Sequence, residues 1–200
     1  MRNANGQVVL ATSNAGKVKE FQAILSGRGF DLRGLGEFPE LSFPEEGDDY
    51  EANAIGKARA AALHVGMPAL ADDSGLEVDA LDGIPGVYSA RFGGEGLDDR
   101  GRTELLLERM SHLEGEDRRA RFVCWVAYVV PGGGVLVSRG ECPGRILTEP
   151  RGARGFGYDP IFGVEGTDLA MAELSAQEKN RISHRARALD ALCERIAASQ

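Results

Sequence analysis

Two adjacent carboxylates, Asp72 and Asp73, follow an apolar run in "PALADDSGLEVDAL". Like charges side by side repel, and a divalent ion bound through oxygen ligands, such as Mg2+, relieves that cost. A carboxylate held in this way, Asp73, would also polarise a water for attack on phosphorus. The ordinary alternative is an Asx-type turn with solvated carboxylates. Upstream, "FPEEGDDYEANA" places Glu45 and Glu46 where a further ligand could come from, although acidic surface loops are common.

A second stretch, "ATSNAGKVKEF", has the residues of an anion loop. Ser13, Asn14 and the backbone amides of residues 12–17 could bond phosphate oxygens while Lys17 adds a point charge. It is not a Walker loop, because Ala11 stands where the first Gly belongs and Val18 follows Lys17. That spacing excludes a kinase of the P-loop type. Alone, the stretch also reads as a plain strand-to-helix turn.

Two more clusters lie late in the chain. In "GFGYDP", Phe156 between glycines could stack on a base, and Asp159 could read a base edge. The commoner fate of such aromatics is to anchor a loop to the core. In "EKNRISHRARAL", Lys179, His184 and Arg185 offer donors for base carbonyls or a phosphate, and equally a solvated basic face. Together the clusters supply what is needed to hold a nucleoside triphosphate and cut it with water.

The elements that must position these residues follow from periodicity. Residues 7–12 are β-branched and apolar, a strand; Val18, Phe21, Ile24 and Leu25 then recur at helical spacing until Gly27. Residues 31–49 are loop-rich. An Ala-rich helix is expected over 50–64, with Ala54, Ala58 and Ala61 on one face. A short strand then enters an acidic turn at residues 72–75, and "GIPGVYSARFGGEG" is a long loop. A helix over 99–112 turns Leu105, Leu106 and Met110 inward. "RARFVCWVAYVV", "PGGG" and "VLVSRGE" form a hairpin, and "GARGFGYDPIF" is a Gly-rich loop leading to a short strand. Ser175 and Glu178 have capping-box spacing, and the chain ends in a helix with Leu189, Leu192, Cys193 and Ile196 on its apolar side. The fold class is α/β with a mixed central sheet.

With 200 residues, the chain has room for one domain with a real core. A formal net charge of −8 argues against a nucleic-acid polymer as partner, though not against one small anion in a local basic pocket. No apolar run is long enough to span a membrane, and no leader peptide opens the chain. Three cysteines without CxxC spacing suit reduced thiols and a cytoplasmic setting.

"ATSNAGKVKEF", "ADDSGLEVDALDGIPGVYSARF", "GFGYDPIF" and "AELSAQEKNRISHRARAL" resemble, in order, the non-canonical purine NTP pyrophosphatases. The resemblance runs from about residue 8 to 189. It implies a single domain over 1–200, an elongated two-lobed fold with a nucleotide cleft between the lobes, and a homodimer. It also implies Mg2+-dependent hydrolysis of XTP, ITP and dITP to monophosphate and pyrophosphate. By motif, Thr12, Ser13, Asn14, Ala15, Gly16 and Lys17 would bind the triphosphate, with Lys57 as a further phosphate ligand. Asp73 would accept the proton and, with Asp72 and Glu45, hold the metal; Ser74 would touch substrate. Phe156, Gly157, Tyr158, Asp159, Lys179, His184 and Arg185 would form the nucleoside pocket. The family's "TFxENA" is here "DYEANA", so Asp49 replaces Thr, putting one more acid near the metal, and Ala52 replaces Glu. Rival readings are a pyrophosphatase for other modified nucleotides, or a nucleotide sensor without hydrolysis.

Overall fold

The computed structural model describes residues 6–199; the expectation about a leader peptide falls on residues 1–5, outside them. In chain order the elements are β1 (Gln7–Leu10), α1 (Ala15–Leu25), β2 (Asp31–Gly34), α2 (Tyr50–Val65), β3 (Ala69–Val78) and β4 (Pro85–Gly86). They continue as α3 (Asp99–Arg109), β5 (Arg119–Val129), β6 (Val135–Ile146), β7 (Phe162–Val164), α4 (Ala176–Ile182) and α5 (His184–Ala198). The strands form one mixed sheet in the order β2-β1-β3-β5-β6-β7, with β4 on β3. β1 is parallel to β2 and β3, while β3–β4 and β6–β7 are antiparallel. The mixed α/β class expected from the sequence is therefore what the chain adopts. Among the described residues, no helix is long and apolar enough to cross a membrane.

By internal packing the chain divides into two compact units. The first takes the chain up to Asp73, Cys124–Gly140 and the chain from Arg185; the second is Ser74–Val123 and Glu141–His184.

In the first unit the period-2 alternation of the strands sorts two cores onto opposite sheet faces. Val8, Leu10, Leu70, Val126 and Tyr128 pack with Phe21, Ile24 and Leu25 of α1 and Leu189, Leu192 and Ile196 of α5. Val9, Ala11, Ala69, Ala71, Ala127 and Val129 pack with Ala54, Ala58, Ala61 and Ala62 of α2. The alanine face expected on that helix is thus the one that lets it lie close to the sheet. The second unit has its own core, including Leu76, Phe92, Leu106, Met110, Phe122, Ile146 and Phe162.

Local chemistry explains most element ends. Asn14 caps α1, and its Oδ1 accepts from the amides of Gly16 and Lys17 at 2.9 and 3.1 Å. Ser175 and Glu178 close the capping box of α4, with Glu178 Oε2 2.8 Å from the Ser175 amide.

Four sequence expectations need correction or completion. Residues 31–49 are loop-rich as expected, yet the segment also holds the short strand β2, whose four residues are too few to show alternation and which pairs in parallel with β1. Residues 72–75 are no turn but the middle of β3, a ten-residue strand. The second hairpin strand continues past "VLVSRGE" to Ile146, where it pairs with β7. The C-terminal helix is interrupted at buried Ser183, whose extended backbone separates α4 from α5 without any Gly or Pro.

Arg118 is a buried cation, 7% exposed, that meets only backbone carbonyls in the bonds that hold it. It donates to Met110 and Leu113, beyond the end of α3, and to Ile146 and Leu147 at the end of β6, at 2.6–3.1 Å. Burial pulls its pKa below the usual arginine value. Arg118→Met should lose about 3 kcal/mol, because the carbonyls keep their desolvation cost without a donor. Urea unfolding followed by circular dichroism measures it; an unchanged midpoint would remove Arg118 from the account of this core.

Candidate active site

Strand β3 carries the two central carboxylates, and the same alternation that sorts the cores separates them. Asp72 shares the face of Leu70, toward α1 and α5; Asp73 shares the face of Ala69 and Ala71, toward α2. Each therefore meets its own cations, which is why two adjacent acids, 2% and 5% exposed, can sit inside a strand.

On the first face, Asp72 Oδ2 lies 3.0 Å from Lys17 Nζ and accepts from Arg185 Nη2 and Nε at 2.9 and 3.2 Å. Arg185 also pairs with Glu20, one turn beyond Lys17 on α1. Burial works against the charge on Arg185, but Asp72 and Glu20 outweigh it and hold its pKa above the usual value. The structure thus engages Arg185 with two carboxylates of the first unit.

On the second face, Asp73 Oδ2 accepts from Asn53 Nδ2 at 2.8 Å, and Oδ1 lies 3.5 Å from Lys57 Nζ. Asn53 and Lys57 are i, i+4 on α2, so one helical face presents both. Lys57 also reaches Glu46 at 2.6 Å. Burial pushes the Asp73 pKa up, only partly opposed by Lys57, Asn53 and Lys17, and with help from Glu46. Lys57 in turn is raised, since Asp73, Asp72 and Glu46 outweigh the cost of burying it. Glu45, by contrast, is exposed, and Glu46 is the acid of that pair turned to Lys57. Asn53 further clamps the intervening loop through the amide and carbonyl of Gly47 at 2.8 and 3.1 Å. Asp49 proves to be the N-cap of α2, accepting from the Ala52 amide at 2.7 Å. That is a task Thr performs as well, so the departure from the family pattern keeps its local chemistry.

The loop before α1 is preorganised. Thr12 Oγ1 accepts from the Asn14 amide at 3.2 Å, and Asn14 caps the helix. Ser13, Asn14 and Ala15 are exposed, Thr12, Gly16 and Lys17 half-buried, and no acid occupies the first turn of α1. The Asn14 side chain takes up two of the first amides of that helix, and no carboxylate adds negative charge there.

Among the described residues, no three His, Cys, Asp or Glu side chains gather as a cage for a metal ion. The chain does offer two carboxylates, Glu46 and Asp73, around the position of the Lys57 ammonium. This oxygen-only pair fits Mg2+, which is commonly held by one or two carboxylates with water and substrate phosphates completing its shell. Asp72 faces away from that pair.

In the second unit, residues 155–159 form a tight loop. Gly155 (φ +78°) could carry no side chain, since a Cβ would fall 2.0 Å from Asp159 Oδ2. Asp159, 2% exposed, accepts from the Phe156 amide at 2.9 Å and from Lys179 Nζ at 2.5 Å. The same ammonium lies 4.9 Å from the Phe156 ring centroid. Asp159 is thus occupied in holding the loop. Tyr158 is buried and donates to the Ser89 carbonyl at 3.0 Å; Gly157 donates its amide to Asp99 at 2.9 Å. His184 stacks on Phe122, with centroids 4.8 Å apart and planes 18° from parallel. Ser74 is half-buried.

Sequence reasoning assigned no role to Glu20, Asn53, Asp99 or Phe122. The i, i+3 spacing of Glu20 from Lys17 and the i, i+4 spacing of Asn53 from Lys57 were the signals for two of them; Asp99 and Phe122 carried none.

The carboxylate–lysine arrangement on β3, behind a capped anion loop, is that of an α/β protein built for polyphosphate chemistry. Residues 8–195 match the Ham1 family, and the chain belongs to it. It is 54% identical over 188 residues to the dITP/XTP pyrophosphatase of Deinococcus deserti, covering 93% of this chain and 87% of that one. With the dITP/XTP pyrophosphatase of Bacillus subtilis it shares 48% over 196 residues, covering 96% and 98%. Among solved structures, a HAM1 protein from Coxiella burnetii superposes with a TM-score of 0.86 at 41% identity, over 96% of this chain and 98% of that one.

Proposed function

We propose that the protein hydrolyses dITP, XTP and ITP to the monophosphate and pyrophosphate. The observation that carries this reading is the seating of Asp73, a buried carboxylate made more basic by burial, beside two lysines and a capped helix N-terminus. A general base gains from a pKa moved toward the working pH. Relatives about half identical to this chain are dITP/XTP pyrophosphatases, which supports the substrate class.

In this reading the exposed segment around Ser13, with Lys17 and Lys57, receives the triphosphate oxygens. Asp73 takes the proton from a water that attacks the α-phosphorus, and pyrophosphate leaves toward the lysines. Mg2+ held by Glu46 and Asp73 supplies, when bound, charge neutralisation at the phosphate oxygens. Asp72 keeps the Lys17 ammonium in place, braced by Arg185. Positioning and charge compensation then provide most of the rate. The Phe156 ring stacks on the base, with Lys179 beneath it and His184 as a donor toward the 6-oxo group. Adenine, with an amino group there, opposes donor to donor and is rejected. Cys124, Cys142 and Cys193, none of them in a disulfide, suit a cytoplasmic enzyme, and we assign it a homodimeric state by family resemblance.

Pyrophosphate release with Mg2+ across ITP, XTP, dITP, ATP, GTP and dUTP tests the reading. The first three should turn over at least about a hundredfold faster than ATP, the discrimination available to a site built around one hydrogen-bonding pattern. Equal rates for ATP and ITP would overturn it.

A further inference from the structure

The α3 N-terminus begins with two aspartates that have different tasks. Asp98 is the N-cap and accepts from the Gly101 amide at 2.8 Å. Asp99, the first helical residue, is therefore not needed for capping. Its Oδ2 accepts from the Gly157 amide at 2.9 Å, while Oδ1 lies 3.4 Å from Arg102 Nη1, which orients the carboxylate. Gly157 directly follows Phe156, and both flanking glycines, Gly155 and Gly157, have left-handed backbones, φ +78° and +61°. Such a segment has no local preference that fixes the aromatic ring. Its pose depends on what holds the two amides beside it. One, of Phe156, is held by Asp159 from within the loop; the other, of Gly157, is held by Asp99 from a separate helix.

We infer that Asp99 is a positioning residue for base recognition, fixing the Gly157 amide and through it the pose of the Phe156 ring. The inference rests on the reading of Phe156 as the base platform. Asp99 touches neither substrate nor metal in this account, so its loss weakens capture of the base and leaves the hydrolytic groups intact. An asparagine at the position keeps an acceptor oxygen for the Gly157 amide and gives up the charge and the second acceptor, the one facing Arg102.

The test compares Asp99→Ala, Asp99→Asn and Phe156→Ala in steady-state hydrolysis of ITP, with inorganic tripolyphosphate as a competitive inhibitor that has no base. Asp99→Ala should raise KM for ITP about fivefold, the worth of one hydrogen bond, with kcat within about twofold of the parent. The tripolyphosphate inhibition constant should not move, and Asp99→Asn should restore KM. An unchanged KM in Asp99→Ala, or Asp99→Asn as impaired as Asp99→Ala, overturns the inference. So does a tripolyphosphate constant that rises together with KM. If Phe156→Ala raises KM while Asp99→Ala does not, only Asp99 is misassigned. If Phe156→Ala itself leaves KM unchanged, the base-platform reading has failed, and the inference with it.

Discussion

Asp73→Asn should lower kcat by about 10²- to 10⁴-fold, the range a positioned general base contributes. The substitution is nearly isosteric, and the new amide oxygen can still accept from Asn53 Nδ2, now 2.8 Å from the carboxylate. The fold and the lysines around it are therefore kept. The lost property is basicity, which burial enhances in the parent. Rapid-quench turnover of ITP, alongside binding of a non-hydrolysable triphosphate, separates the two effects. A variant that still binds and turns over near the parent rate would take the proton-accepting role away from Asp73.

Arg185→Met should be the most destabilising single change on the other face of β3. The guanidinium is 1% exposed and is shared by Asp72 and Glu20. Methionine fills much of the volume but takes from two carboxylates the cation they share. Removing one partner of a buried ion pair costs about 3–5 kcal/mol, because the remaining charge stays desolvated. For a chain of this size that corresponds to a fall in Tm of roughly 6–20 °C. Activity measured well below the new Tm should also drop, since Asp72 then no longer has a second cation to fix its oxygen toward Lys17. Calorimetry decides the first point, and an unchanged Tm would mean that the pair contributes little.

Much of this was legible in the chain. The strand–loop–helix from β1 to α1, the alanine face of α2 and the capping box of α4 all follow from short-range rules, because local spacing alone produces them. The pairing of residues far apart was not legible. Glu45 and Glu46 are indistinguishable by type, and only the fold of the loop around Asn53 turns Glu46 toward Lys57. Nothing local reveals that Arg185 meets Glu20 and Asp72, 165 and 113 residues away in sequence. Asp72 and Asp73 were read as a turn because Asp-Asp-Ser-Gly has turn composition; burial with separate cations overrides that preference.

That last feature has a meaning for how such a chain is compared with others. In β3 the two aspartates are the same letter, yet parity along the strand makes one a brace and the other a reagent. The identity of a residue here is its phase, much as a codon depends on its frame. An alignment slipped by a single place in this segment would still match acid to acid while exchanging the two trades.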